Sequence, residues 1–269
     1  MSIIRVKFVR GEEVKYISHL DLMKLFERAL RRSKLPIAYS QGFNPHPQMV
    51  FGLPLSVGIT SQAEYADFEL SEEMDPEEFK NSLSLSLPEG IRIIASKEKV
   101  RKDNIMASIS GASYKILLSS DTRLEIRGIQ EKMNKLLSRP DIIVNKETKK
   151  GIKEIDIKPM IYKIEVSNLE DESNDADTDI NARKWLVDYV EGLSKSIPKP
   201  SYNTDNIFCV SALLSAGSAA NLKPELLIGA INETLGEPMK VVKIHRTGLY
   251  VGDRGDFRDP LDTEVLLGK

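Results

Sequence analysis

The strongest constraint on this chain is a change of hydrophobic period, made twice in the same order. Residues 3–10, IIRVKFVR, alternate, with Ile4, Val6 and Phe8 against Arg5, Lys7 and Val9. That period of two predicts a half-buried strand. The period then turns helical. Ser18 stands where an N-cap is needed, and Asp21 three residues on completes a capping-box-like pair. Leu22, Leu25, Phe26, Ala29 and Leu30 form one apolar stripe, and Pro36 stops the helix near Ser33. A short strand, PIAYS, leads into the loop SQGFNPHPQ, Ser40 to Gln48. Residues 48–70 hold two extended pieces around Gly52, Pro54 and Gly58, the second with Tyr65 and Phe68 on opposite faces. Asp75 and Pro76 open a second helix as N-cap and first residue, and GIRIIAS closes as a strand. The order is β-α-β-β-α-β, the split ferredoxin-like unit.

The second half repeats that order. SYKILLSS reads as a strand, and TRLEIRGIQEKMNKLLS as a helix with Leu124, Ile129, Met133, Leu136 and Leu137 inward. IKEIDIKPMIYKIEV is extended and broken by Pro159, and NIFCVSALLS is a strand. KPELLIGAINETLG is a helix stopped by Gly236, with Asn221 as its expected cap, and MKVVKIHRTGLYV ends the series. The expected fold is α+β, two ferredoxin-like (βαββαβ) domains in tandem. Residues 1–103 form the first and 112–251 the second, with an acidic and helical insertion at 168–205 that includes ARKWLVDYVEGL. Residues 252–269 read as a loose tail.

Composition narrows the function. The 269 residues carry a net charge of −2, so the whole-chain balance marks neither a nucleic-acid binder nor a membrane binder. No segment approaches the roughly 20 apolar residues a membrane span needs, and MSIIRVKFVRGEE lacks a signal-peptide core. A cytoplasmic protein with no membrane partner is expected. The single cysteine, Cys209, reads as a small core side chain, and it cannot alone hold a cysteine-ligated cluster or a paired-cysteine zinc. Charge is unevenly spread. Residues 1–60 hold nine Lys/Arg and four acids, a difference of +5, while residues 165–180 hold seven acids and no base. This asymmetry points to an anionic partner for the N-terminal region.

The common phosphate-loop, dinucleotide, zinc-protease and serine-hydrolase signatures are absent. Three features remain. In the loop, Asn44 and His46 each precede a proline, so both are biased towards extended backbone, and Gly42 can supply a positive φ. His46 is then the polar tip of a stiff segment, a recognition loop or simply a rigid turn. At the start of the first helix lie His19 and Asp21; His19, Asp21 and His46 are the catalytic candidates, if the loop returns His46 to the helix start. A cap with a packed ring is the simpler role, and neither a metal nor a cofactor is expected. At the end of that helix Arg28, Arg31, Arg32 and Lys34 complement the helix dipole and also form a phosphate-contacting patch. Tyr39, Phe43, Asn44 and His46 follow. Aromatics beside arginines suit single-stranded RNA.

The run SHLDLM, RALRRS, YSQGFNPHP, PLSVGI and SQAEYADFEL, with EIDIKP, NLKPELL and VVKIHRTGLY further on, resembles the radical SAM-associated proteins of bacteria. These occur as stand-alone chains or as C-terminal extensions of proteins with cobalamin-binding-like and radical SAM domains. The resemblance implies cooperation with a radical SAM protein in RNA modification. It brings no catalytic residues, and residues 168–205 exceed its usual pattern. The leading expectation is an accessory or substrate-recognition subunit binding tRNA or rRNA. The alternatives are a metal-independent RNA-processing enzyme using histidine acid–base chemistry and a purely structural scaffold for the radical SAM partner.

Overall fold

A computed structural model describes residues 2–101, 103–122, 125–168, 189 and 206–268. The acidic stretch from 169, the expected helix ARKWLVDYVEGL apart from Tyr189, and SIPKPSYN lie outside the described residues. The fold is mixed α+β with a mostly antiparallel sheet. Two compact units divide the chain: residues 1–112, 216–220 and 245–269 form one, and 113–215 and 221–244 the other. The C-terminal residues 245–269 thus belong with the first unit.

The first unit holds β1 (Ser2–Arg10), α1 (His19–Ser33), β2 (Met49–Phe51), β3 (Thr60–Leu70), α2 (Pro76–Ser84), β4 (Ile91–Lys99) and the short α3 (Ile105–Ser108). Its strands lie in the order β4-β1-β3-β2, each neighbouring pair antiparallel. The caps form as the sequence predicts. Ser18 Oγ accepts from the Asp21 amide at 3.2 Å and donates to Asp21 Oδ2 at 2.7 Å. Asp75 accepts from the amides of Glu77 and Glu78. Lys34 closes α1 in the left-handed conformation, φ 53°. The inward stripe Leu22, Phe26, Ala29 and Leu30 packs on Ile4, Val6, Phe8, Ala66 and Phe68, with Phe79 and Leu83 from α2. Phe8, Phe26 and Phe51 meet edge to face, centroids 5.2–6.1 Å apart.

PIAYS does not form a ladder strand. Only isolated bridges, Ile37 to Leu70 and Tyr39 to Pro47, occur there. Pro36 and Pro47 lack the N–H groups a ladder requires. The loop they flank is closed by Ser40 N–H to His46 O, His46 N–H to Ser40 Oγ and Gln48 N–H to Ala38 O.

The opposite face of β1 and β3 is also covered, by the segment expected to be a loose tail. Arg5 donates to Pro260 O at 3.0 Å, Lys97 to Leu261 O at 2.9 Å, and Lys7 and Tyr65 both bond Asp259. Leu261 and Leu266 are buried, and residues Thr263–Leu267 form a final helical turn. Between these layers lies a charged core. Arg5 reaches Asp67 through Nε at 2.6 Å and Nη2 at 2.9 Å, and Lys99 Nζ meets Asp67 at 2.8 Å and Asp103 at 3.1 Å. A polar surface could have been left open to water. Here it is buried, so each cation on it requires a carboxylate.

The second unit holds most of β5 (Ile109–Ser119), α4 (Ile126–Leu137), β6 (Ile143–Thr148), β7 (Gly151–Asp156), β8 (Ile161–Asn168), β9 (Ile207–Ser215), α5 (Pro224–Leu235) and the start of β10 (Lys240–Val251). Its sheet order is β10-β5-β9-β8. β6 and β7 make a separate two-stranded hairpin where the sequence reading placed one broken extended run. Cys209 is buried with Leu117 and Ile207, as a small core side chain. The N-cap of α5 is Lys223, with no side-chain cap bond, so Asn221 does not cap it.

Candidate functional site

Helix α1 gathers most of the residues singled out from the sequence, and its two ends differ. At the start, Asp21 is committed to Ser18. The half-buried His19 ring stands edge-on to Phe51, centroids 5.8 Å apart at 89°. Burial, then the charge of Arg10, hold this imidazole below its ordinary pKa, and Glu64 offsets them in part. His19 is therefore neutral at neutral pH.

Beneath this turn lies a residue that the sequence reading passed over. Arg10 is 0% exposed, its Nη2 donating to Ile17 O at 2.8 Å and Val14 O at 3.4 Å. Its Nε and Nη1 have no hydrogen-bond partner. A buried donor left unmade costs about 1–3 kcal/mol. Burial, the largest influence, and Arg246 depress the Arg10 pKa, while Glu64 supports it. Glu64 itself receives Arg246 Nη1 at 2.9 Å, and Arg246 also donates to Leu53 O and Pro54 O. Beside Arg246, His245 Nδ1 and Thr60 Oγ1 lie 2.7 Å apart, with Gln62 Oε1 3.3 Å from Nε2. One signal for Arg10 was available: it continues the inward set Ile4, Val6 and Phe8. Its neighbours were not legible, since Glu64 and Arg246 are 182 residues apart.

At the other end Arg28, Arg31, Arg32 and Lys34 are all exposed. Helical spacing sets Arg28 beside both Arg31 (i, i+3) and Arg32 (i, i+4), while Arg31 also lies one turn from Glu27. Arg28 and Arg32 line a groove of about 510 Å³ with Tyr16, Ile17, Asp21, Leu25 and Pro88, and Arg32 is fixed by Ser86 O. On the Glu27 side stands the loop. His46, its side chain 62% exposed, places Nδ1 3.9 Å from Glu27 Oε1. Glu27 is eight residues past His19, about 12 Å along the axis. The loop thus meets the middle of α1, and His19, Asp21 and His46 each face a different neighbour. At the tip Gly42 takes φ 128°, Phe43 is fully exposed, and Asn44 and Tyr39 are exposed.

The N-terminal charge excess shrinks on folding. Of the nine bases in residues 1–60, Arg5, Lys7 and Arg10 turn inward, towards Asp67, Asp259 and Glu64. The outward remainder is concentrated on residues 24–34, with Lys24, Arg28, Arg31, Arg32 and Lys34 against Glu27 alone. Among the described residues no group of three His, Cys, Asp or Glu side chains is placed to hold a metal, and no helix is long and apolar enough to cross a membrane.

This architecture is that of a mixed α+β protein with a basic helix end and a rigid, aromatic-tipped loop. The chain belongs to the family described as uncharacterized protein conserved in bacteria (DUF2344), which matches residues 4–224. No curated protein matches it. Among solved structures, a Cbf5–Nop10–Gar1 complex aligns with a TM-score of 0.47 and 12% identity, over 94% of this chain and 50% of that one. An archaeal box H/ACA sRNP Nop10–Cbf5 complex aligns at 0.41 and 9%, over 91% and 46%. An H/ACA RNP bound to a substrate RNA containing 2′-deoxyuridine aligns at 0.42 and 10%, over the same shares. The chain spans about half the length of the chains it matches.

Proposed function

We propose that the chain is an RNA-recognition subunit that presents RNA to a radical SAM enzyme. The observation that carries this reading is the exposed basic end of α1, five cations against one acid in a chain of net charge −2. Phosphate contacts of this kind supply most non-specific nucleic-acid affinity. Phe43 and Tyr39 on the neighbouring loop offer stacking surfaces, and a loop closed by its own hydrogen bonds loses little freedom on binding. The partner comes from the resemblance to radical SAM-associated proteins. With one cysteine, this chain would rely on that partner for the cluster. We also read each unit as ferredoxin-like. In support, strand–helix–strand–strand–helix–strand occurs in the first unit and, with the β6–β7 hairpin inserted after the first helix, in the second, and each sheet sets its first strand between its fourth and third.

Anisotropy titration of single-stranded RNA and tRNA against wild type and Arg28→Ala/Arg31→Ala/Arg32→Ala tests the proposal. Three lost phosphate contacts should reduce the salt slope on single strands by about 2. Equal affinity and equal slope in both proteins refute RNA recognition by this helix. RNA cut by the purified protein would favour the histidine acid–base enzyme. Co-purification with a radical SAM protein without RNA affinity would favour the scaffold.

A further inference from the structure

We propose that the Arg10–His19–Arg246 cluster at the start of α1 binds a phosphate group. This site lies at the opposite end of α1 from the RNA-contacting arginines and does not rest on them. Arg10 is fully buried and has two N–H groups with no acceptor. The carboxylate that supports Arg10, Glu64, is already bonded to Arg246. A buried water could accept from Arg10, yet it brings no charge of its own. An anion brings both an acceptor and a counter-charge.

Three neighbours fit a tetrahedral oxyanion rather than a halide. Arg10 offers unmade charge-assisted N–H donors, which suit phosphate oxygens. The 15-residue helix α1 begins here, and helix starts attract negative charge. Asp21 does not fill that role, because its carboxylate is turned to the Ser18 hydroxyl. His19, the first residue of α1, is half-buried on Phe51 and becomes a donor by taking up a proton when the anion arrives. Its present neutrality follows from burial and from the charge of Arg10. A bound anion removes that second cause.

The ligand is a phosphate group, free or at the end of a polynucleotide. NMR titration of the His19 ring with inorganic phosphate reads the site directly. Saturable shifts and an upward move of the His19 midpoint are expected. His19→Gln should weaken phosphate binding by roughly tenfold or more, the loss of one charge-assisted hydrogen bond. Arg10→Met should abolish binding; if it does not fold, His19→Gln and the wild-type midpoint decide. Tighter binding of 5′-phosphorylated than 5′-hydroxyl RNA would identify a polynucleotide end as the source, and inorganic phosphate alone a free anion. Arg28→Ala/Arg31→Ala/Arg32→Ala should leave the phosphate response intact, so its failure is separable from failure of the RNA reading. No saturable response to either probe, with the His19 midpoint unmoved, overturns the proposal.

Discussion

Asp67→Ala removes the anion on which the charged layer of the first unit is built. The carboxylate receives Arg5 Nε at 2.6 Å, Arg5 Nη2 at 2.9 Å and Lys99 Nζ at 2.8 Å, and all three residues are buried. Without it Lys99 keeps Asp103 at 3.1 Å, but Arg5 is left with Pro260 O and with Asp103 at 4.0 Å. Breaking a buried ion pair from one side costs about 3–5 kcal/mol, because a buried charge is left uncompensated. With a urea m-value of about 2 kcal/mol/M, the unfolding midpoint should fall by about 1.5–2.5 M. That is a large share of a typical domain stability of about 5–15 kcal/mol. Lys15→Ala is the control. It breaks the Lys15–Glu12 pair, at 2.8 Å no longer than the Lys99–Asp67 contact but open to solvent, which should cost less than about 1 kcal/mol. Replacing Arg5, Asp67 and Lys99 together by Met, Leu and Met should recover much of the loss, since no buried charge is then orphaned. The measurement is equilibrium urea unfolding followed by circular dichroism. A midpoint shift for Asp67→Ala no greater than that for Lys15→Ala would refute the assignment of this network to the folded core.

Deleting residues 252–269 should destabilise the first unit by several kcal/mol, since Leu261 and Leu266 leave the core and Arg5 and Lys7 lose Pro260 O and Asp259; thermal unfolding of the truncated chain checks this. Gly217→Ala should also be strongly destabilising, because φ is 105° and the new Cβ would stand 2.0 Å from Ile109 O; a midpoint equal to wild type would contradict that backbone path. Stability should fall with acid in two stages. Burial raises the carboxyl pKa values of Asp103 and Asp259, but hydrogen bonds, with Ser108 and Lys99 at the first and Lys7 and Leu261 at the second, outweigh it and leave both below the ordinary range. Their contribution is complete above about pH 4 and is lost below it. His19 is likewise depressed, so the unfolded chain takes up its proton first and stability declines below about pH 6.5; His19→Gln should remove that upper stage in urea midpoints measured across the range.

Local chemistry was the legible part. The Ser18–Asp21 cap, the Asp75 and Pro76 helix start, the stop at Ser33 and the positive φ of Gly42 each depend on residues within a few positions of one another. So does the alternation that sends Phe68 to the helices and Tyr65 to the opposite side. The hairpin of β6 and β7 was missed although its pattern is present. Its inward positions are few, with Val144 buried and most others exposed, so period two has little apolar contrast to reveal it. The candidate site divided in the same way. Helical spacing alone sets Arg28 beside Arg31 and Arg32. No spacing brings His46 to Glu27, because the loop path is set by the Ser40–His46 and Gln48–Ala38 bonds.

The buried charges explain the largest misreading. An alternating strand with Arg5 and Lys7 on its polar side reads as a sheet with one face in water. What covers that face is Asp259, Pro260 and Leu261, some 250 residues later, and nothing in the first strand encodes their arrival. The same logic distinguishes the two ends of α1. At its C-terminus the arginines face a helix end that is itself negative, so part of their charge is answered before any ligand binds. At its N-terminus the helix end is positive, and Arg10 beneath it adds to that charge with two donors unmade. Surface counts favour the C-terminal end as the electropositive one. Counted by donors left unmade, the start of α1 is the stronger demand for an anion.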